Sequence, residues 1–222
     1  MVKKVSSEGK KIKIGLFKKI RNALMVIAAR IQKQLFFEKS AIFTVSKLNE
    51  AFVKGMVESY GLKEGMNRVY RAGEELGHEF MVELSPHMVD DLMATPAYAK
   101  AAWETFSGHK LSDLEFREIE IGGYKCLYLV FRDKNCPWCK NITFNTHFCA
   151  FPAGAYNGAS ATWAILTGKP YKIFVRETKC KAVGDKYCEW TYITAPKDMP
   201  IDVLKEAHPE WFEVIEEGFF EF

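Results

Sequence analysis

Hydrophobic positions in the first half of the chain recur every three or four residues, which is the period of one face of an α-helix. The pattern predicts an arm helix within residues 1–40, then helices over 46–60, Leu62–Leu84 and 95–106. Capping residues support these limits, because Ser46 and Thr95 can begin a helix and Gly61 can end one. The helix over 46–60 is expected to bury Leu48, Phe52, Met56 and Tyr60.

Two glycines, Gly73 and Gly77, lie one turn apart on the apolar face of the predicted helix Leu62–Leu84. Each glycine inside a helix costs about 1 kcal/mol relative to alanine. We therefore expect another element to approach this face closely, either a neighbouring helix or a second subunit. If the chain forms a homodimer, this face and the apolar stripe of the arm are the surfaces expected to pair.

The second half of the chain changes to strand-like alternation of polar and apolar residues. Two hairpins are predicted, around the Gly-Gly pair at 122–123 and the Gly-Asp pair at 184–185, with a further strand over Asn141–Phe148. A helix rich in Gly, Ala and Ser is predicted over Phe151–Leu166. Helices followed by antiparallel strands with one inserted helix predict an α+β fold.

Composition and charge divide the chain into an arm, residues 1–40, and one folded α+β domain, residues 41–222. With 222 residues and 48% hydrophobic residues, the chain can form a substantial core. The arm holds eleven Lys and Arg against two Glu, whereas the remainder holds 20 basic and 26 acidic residues. No nucleic-acid partner is expected for the domain, because phosphate binding needs a clustered positive surface.

The arm is a basic amphipathic helix by its pattern, and three roles are open for it. It can dock on its own domain or on a second copy, lie on a membrane surface, or bind nucleic acid. Docking is the expectation we favour, because few Trp or Tyr residues border its apolar stripe. Peripheral membrane contact through the arm is the next alternative.

A cytoplasmic location is expected from the apolar segments. The longest uncharged run, Asn141–Gly168, contains Asn, His, Pro and three Gly, which argues against a membrane span. The basic arm lacks the small-residue cleavage site of a secretory signal. Six cysteines in a reducing compartment indicate metal or thiol chemistry rather than disulfides.

Two cysteines, Cys180 and Cys188, flank the turn of the second hairpin and can face each other across it. Such a pair is half of a tetrahedral zinc site. The candidates for the other ligands are Cys136, Cys139, His147, Cys149 and Glu177. Spacing leaves the choice open, including a Cys₄ set with the Cys-Pro-Trp-Cys pair at 136–139. That pair can also bind a second metal, be redox-active or simply be buried, and Cys126 is expected to be a core residue.

Two segments resemble the signature of the 4-vinyl-reductase domain family. The first, CAFPAGAYNGAS at 149–160, has a cysteine before a glycine-containing helix, and the second, ETKCKAVGDKYCEW at 177–190, has the Glu-x-x-Cys and Gly-Asp-x-x-Cys spacing. The resemblance covers roughly 62–193. It implies an antiparallel sheet covered on one face by helices, as in trafficking tethering-complex subunits, with a hydrophobic pocket between the layers.

The resemblance also implies a metal site. In the phenol-sensing activators that contain this domain, three cysteines and a glutamate hold zinc, and the matching positions here are Cys149, Glu177, Cys180 and Cys188. Four protein ligands leave no open coordination position, so the zinc is expected to be structural. Glu177 and Cys180 would point to opposite faces of an unbroken strand, so we expect a bulge or the end of the strand near Thr178 and Lys179.

These observations lead to a non-enzymatic module that binds an apolar small molecule and carries a structural zinc. A homodimer is expected. One alternative is an enzyme that reduces a tetrapyrrole vinyl group, as the family name implies, although the chain has no flavin or nicotinamide motif. A second is a tethering subunit that needs no soluble ligand.

Overall fold

The computed structural model describes residues 43–84, 92–108 and 110–215, so the predicted arm lies outside the described residues. The helices are α1 (residues 43–60), α2 (Leu62–Leu84), α3 (Thr95–Ser107), α4 (Ala150–Leu166) and α5 (Ile201–Ala207). The strands are β1 (Asp113–Ile121), β2 (Tyr124–Asp133), β3 (Tyr171–Lys179) and β4 (Cys188–Pro196). Short 3₁₀ helices occupy Leu92–Ala94, Lys181–Val183 and Pro209–Phe212. Within these described ranges no helix combines the length and the apolar character that a membrane crossing requires.

The four strands form one antiparallel sheet in the order β1-β2-β4-β3, and both predicted hairpins are present. Residues of α1, α2, α3 and α4 pack with one face of the sheet in the larger core. The other face carries a smaller core that includes Phe174, Ile193, Met199 and Leu204, formed with α5 and the last 3₁₀ helix. The predicted α+β class, with helices covering one face of an antiparallel sheet, is confirmed.

The glycines of α2 face α4 of the same chain. A Cβ added at Gly73 or Gly77 would lie under 3.0 Å from a backbone carbonyl oxygen of α4, and one added at Gly154 or Gly158 would meet α2 in the same way. The two helices therefore cross with their backbones in contact. The expected close neighbour is a helix, and because α4 occupies this face, the prediction that it pairs two subunits is wrong.

Two other details of the sequence prediction differ from the structure. Helix α1 begins before Ser46. Ser46 and Asn49 are buried, whereas Leu48 and Tyr60 are exposed. The buried polar residues bond to the loop before α4: Ser46 Oγ to the carbonyl of Lys140 at 3.4 Å and Asn49 Nδ2 to that of Trp138 at 3.0 Å. The second difference is that residues 141–148 form an irregular loop with bends rather than a strand.

A buried polar network joins α2, α4 and β3. Asn157 of α4 donates to Glu74 at 2.8 Å and accepts the Val175 N–H at 2.8 Å. Tyr70 donates to the Val175 carbonyl at 2.7 Å, and the Arg176 guanidinium donates to the Tyr70 hydroxyl at 2.6 Å. These bonds satisfy polar groups between layers that the glycine contacts bring close together.

Glu74 makes stability depend on pH, because burial raises its pKa to about 7 despite the opposing effects of Arg176, Asn157 and Arg71. The unfolded pKa is about 4.3, so unfolding between these values releases a proton. The favourable contribution of protonated Glu74 is therefore complete below about pH 4.3 and is lost as pH rises through about 7. Glu74→Gln keeps the acceptor for Asn157 and removes the charge.

We expect Glu74→Gln to gain stability over the wild type by on the order of 2–3 kcal/mol at about pH 8, and to match it near about pH 4. Urea unfolding of both proteins across this range measures the difference. Glu75→Gln is the matched control, since Glu75 is the exposed neighbour on the same helix. Parallel curves for wild type and Glu74→Gln would show that Glu74 titrates normally.

Candidate metal centre and the adjoining aromatic layer

The chain brings six candidate ligands together from four places. Cys136 and Cys139 lie in the loop after β2, Cys149 immediately precedes α4, Glu177 is near the end of β3, and Cys180 follows β3. The remaining ligand, Cys188, is the first residue of β4. The five cysteines are free thiols, and none is more than 2% exposed.

The end of β3 carries the irregularity that the ligand spacing requires. Glu177 pairs with Trp190 and Lys179 pairs with Glu189, so the register shifts across Thr178. The shift removes the strict alternation of side chains and lets Glu177 and Cys180 reach the same cluster. The bulge predicted from the odd spacing of these two residues is confirmed.

Two overlapping sets of four ligand atoms result. Within each set, all ligand atoms lie within 4.8 Å of one another. The sets are Cys149, Glu177, Cys180 and Cys188, and Cys136, Cys139, Cys149 and Cys188. The sulfurs of Cys139 and Cys188 lie 3.3 Å apart, and those of Cys136 and Cys149 lie 3.6 Å apart. The buried cysteine cluster is therefore compatible with metal binding.

Only one of the two carboxylate oxygens of Glu177 has a hydrogen-bond partner among the described residues. Its Oε2 accepts the backbone N–H of Cys149 at 2.6 Å, whereas its Oε1 is buried without a hydrogen-bond partner in the described structure. Burial, followed by the effect of Cys180, raises the pKa of Glu177 well above its usual range. Burial likewise raises the pKa of Cys149. A cation would reverse both effects, because it favours the ionised ligand.

Backbone N–H groups donate hydrogen bonds to the two cysteine sulfurs of the second hairpin. The N–H of Phe148 donates to Cys180 Sγ at 3.3 Å, and that of Lys181 donates to Cys188 Sγ at 3.4 Å. The turn between them is held by Asp185, which accepts the Cys180 N–H at 2.8 Å. N–H donors favour the thiolate, which is the form that binds metal.

Two other residues considered from the sequence, His147 and Cys126, lie outside both ligand sets. His147 contacts the Glu177 carbonyl oxygen through Nδ1 at 2.9 Å, so it supports the residue that carries the carboxylate. Cys126 lies in the core of the opposite sheet face, with its sulfur 4.0 Å from Met199 Sδ, as expected for a core residue. Sequence spacing identified every member of the cluster. The Cys₄ set left open by the sequence combined Cys136 and Cys139 with both hairpin cysteines, whereas the second set in the structure has Cys149 in place of Cys180.

A layer of aromatic rings adjoins the metal cluster between the helices and the sheet. Its members, hereafter the aromatic layer, are Trp103, Phe131, Tyr156, Trp190 and Tyr192. Trp103 and Trp190 have ring centroids 4.5 Å apart, and Trp103 donates from Nε1 to Asp133 at 2.8 Å. In contrast, Trp190 Nε1 and the Tyr192 hydroxyl are buried without a hydrogen-bond partner in the described residues.

Two solved structures of other proteins were compared with the fold of this chain. A trafficking protein particle complex subunit 3 from Naegleria fowleri, described as covalently bound to palmitic acid, matches with a TM-score of 0.51 and 15% identity. The match covers 71% of this chain and 96% of that one. The trafficking-subunit-like fold is thus shown. The phenol-responsive sensory domain of the transcription activator PoxR, with phenol, matches with a TM-score of 0.47 and 16% identity, over 76% of this chain and 81% of that one.

Sequence comparison gives relatives without a described activity. No protein-family profile matches the chain. The uncharacterized protein MJ0855 of Methanocaldococcus jannaschii is 27% identical over 152 residues, 68% of this chain and 55% of the relative. The uncharacterized protein MJ0745 of the same organism is 34% identical over 84 residues, 36% of this chain and 44% of the relative. The chain thus spans about half the length of these curated relatives.

Proposed function

We propose that this domain is a non-enzymatic module that binds an apolar small molecule and is stabilised by a structural zinc ion. Membership of the 4-vinyl-reductase domain family is part of this proposal, and it rests on the two signature segments. The shared fold with a palmitate-bound trafficking subunit supports it, since that protein accommodates an acyl chain. We place the module in the cytoplasm, where thiols stay reduced. The homodimer and the membrane contact through residues 1–40 stay predictions.

Cys149, Glu177, Cys180 and Cys188 would hold the zinc. Three sulfurs and one carboxylate oxygen suit a borderline-soft dication such as zinc. The unpartnered Oε1 of Glu177 supports the assignment, because an isolated buried carboxylate oxygen costs free energy that a bound cation offsets. With four protein ligands the ion has no open position for a substrate, so it supplies stability rather than chemistry.

The observation that carries the ligand proposal is the pair of unused hydrogen-bond donors in the aromatic layer. Trp190 Nε1 and the Tyr192 hydroxyl have no partner among the residues that the structure describes, and leaving a buried polar group unsatisfied costs about 1–3 kcal/mol. A ligand with an acceptor atom would satisfy them, while the surrounding rings would contact its apolar part. The expected ligand is therefore apolar with one small polar end.

The metal and the ligand groups are linked through one strand. Cys188, Trp190 and Tyr192 alternate along β4 and project toward the same core. Zinc bound at Cys188 would fix the beginning of this strand against the bulge of β3 and the start of α4. In this arrangement the zinc supports the geometry of the aromatic layer.

Tyr192→Phe tests the ligand site, because it removes the unpartnered hydroxyl and keeps the ring. Titration of the zinc-loaded protein with phenol and with palmitate, followed by the fluorescence of Trp103 and Trp190, measures binding. We expect saturable binding of at least one probe and about 5- to 10-fold weaker binding by Tyr192→Phe. Tyr128→Phe is the control, since Tyr128 packs with the opposite sheet face.

Native mass spectrometry of the protein as purified separates the candidate functions. A co-purified apolar molecule with a polar end supports the binding module. A bound flavin or tetrapyrrole would instead support the vinyl-reductase alternative. Failure of both probes to bind, with no co-purified small molecule, would contradict the ligand proposal and favour a tethering role.

A further inference from the structure

The cysteine cluster contains more ligands than one zinc ion uses. The zinc of the proposed function takes Cys149, Glu177, Cys180 and Cys188, which leaves Cys136 and Cys139 beside it. Both leftover thiols are only 2% exposed, and their Cys-x-x-Cys spacing is the one that zinc knuckles use. The cluster therefore offers six ligand atoms, five sulfurs and one carboxylate, in one buried place.

The six ligand atoms divide into two four-ligand sets that share two members. Cys149 and Cys188 belong to both sets, Cys136 and Cys139 complete one, and Glu177 with Cys180 completes the other. Two tetrahedral ions that share two bridging ligands need two shared and four unshared ligand atoms. The number and the division of the ligands here match this requirement.

The separations fit direct coordination by an ion. Zinc–sulfur bonds of about 2.3 Å place the sulfurs of a tetrahedral site about 3.8 Å apart. Each leftover sulfur contacts a different shared sulfur: Cys136 lies 3.6 Å from Cys149, and Cys139 lies 3.3 Å from Cys188. An iron–sulfur cubane places sulfide ions between its irons and would hold the cysteine sulfurs farther apart.

The loop that carries the leftover pair is fixed by the fold. Its carbonyls at Trp138 and Lys140 accept hydrogen bonds from Asn49 and Ser46 of α1. The loop also closes on itself, since the Ile142 N–H donates to the Cys139 carbonyl at 3.1 Å. The Trp138 ring packs on Phe151 of α4, with centroids 5.9 Å apart. The fold thus presents the two sulfurs to the cluster without the second ion.

We propose that the domain binds a second zinc ion through Cys136, Cys139, Cys149 and Cys188, with the thiolates of Cys149 and Cys188 bridging the two ions. The inference rests on the proposed function, because Cys149 and Cys188 of the proposed zinc site are also ligands of the second ion. Loading releases the thiol protons to solvent, and no oxidant or reductant takes part. The second ion fastens the loop after β2, and with it α1, to the hairpin.

Zinc titration of the reduced, metal-stripped full-length chain against a chromophoric chelator tests the inference. We expect two zinc ions per chain. The double variant Cys136→Ser with Cys139→Ser should bind one, as should Glu177→Gln with Cys180→Ser. Cys126→Ser is the matched control, because it removes a buried thiol on the opposite sheet face, and it should bind two.

Cobalt gives a readout that does not depend on any variant. Thiolate bridges couple the spins of two Co²⁺ ions, so the electron paramagnetic resonance signal should grow with the first equivalent and weaken with the second. If the signals of the two Co²⁺ equivalents simply add, the two ions are not coupled, and the bridged arrangement is overturned.

The outcomes separate the two proposals. One zinc per wild-type chain, retained by the Cys136 and Cys139 double variant and lost with Glu177 and Cys180, would overturn the second ion and leave the proposed zinc site standing. No zinc in any form would overturn both. Disulfides that join Cys136 to Cys149 or Cys139 to Cys188 in protein kept under reductant would also overturn the second ion.

Discussion

Removing zinc is expected to unfold the domain. Structural zinc contributes on the order of 10 kcal/mol to folding, and the net stability of a typical domain is about 5–15 kcal/mol. The proposed ion would also join the start of α4, the end of β3 and the start of β4, which lie far apart in the sequence. Without it, buried thiols and the Glu177 carboxyl would crowd one another in the core.

Near-ultraviolet circular dichroism before and after chelation measures this effect. We expect the tertiary signal to disappear with chelator and to return when zinc is added. Cys188→Ala should reproduce the loss even in excess zinc, because Cys188 belongs to both ligand sets. Cys126→Ala is the control: it removes a buried thiol outside the cluster and should cost only about 1 kcal/mol. An unchanged spectrum after complete chelation would show that the fold does not need the metal.

Gly77→Ala is expected to destabilise the domain strongly, although alanine usually stabilises a helix. The new Cβ would lie under 3.0 Å from the Ala155 carbonyl oxygen of α4, and backbone atoms cannot rotate away as a side chain can. The two helices would have to separate, which disturbs the network of Glu74, Asn157 and Val175 between them. We expect a loss of about 3 kcal/mol, or about 6–12 °C in Tm.

Gly55→Ala is the matched control for this prediction. Gly55 is also inside a helix, α1, but a Cβ there would meet nothing within 4 Å. It should therefore show the usual gain of about 0.5–1 kcal/mol from replacing a helical glycine. Thermal unfolding of both variants in saturating zinc gives the comparison. Similar gains for the two variants would mean that α2 and α4 are not in backbone contact in solution.

Local patterns were sufficient to predict much of the fold. The glycines at 122–123 marked the first hairpin, and Gly73 with Gly77 marked a close helix neighbour, because each reports a backbone requirement that few other residues meet. The odd spacing of Glu177 and Cys180 predicted the bulge for a similar reason. Convergence on one metal can occur only if the strand is broken between them.

The errors in prediction arose where tertiary contacts overrode a local period. The alternation in residues 141–148 indicated a strand, yet this segment lies between Cys139 and Cys149 and turns so that both reach one cluster. Asn141 there has a positive φ of 60°, a conformation that a strand does not use. In α1, Ser46 and Asn49 are buried because the same loop supplies their acceptors. The periodicity of apolar residues was right for Phe52 and Met56, which pack on the larger core, and wrong for Leu48 and Tyr60, which are exposed.

The order of side chains along β4 has a thermodynamic consequence. The strand carries the proposed metal ligand Cys188 at its first residue, and the donors of the proposed ligand site, on Trp190 and Tyr192, at the second and fourth residues after it. If zinc alters the affinity for the small molecule by some factor, the small molecule must alter the affinity for zinc by that same factor. If zinc tightens binding of the small molecule, an occupied aromatic layer would tighten zinc binding equally, and zinc supply in the cell would set how well the domain captures its ligand.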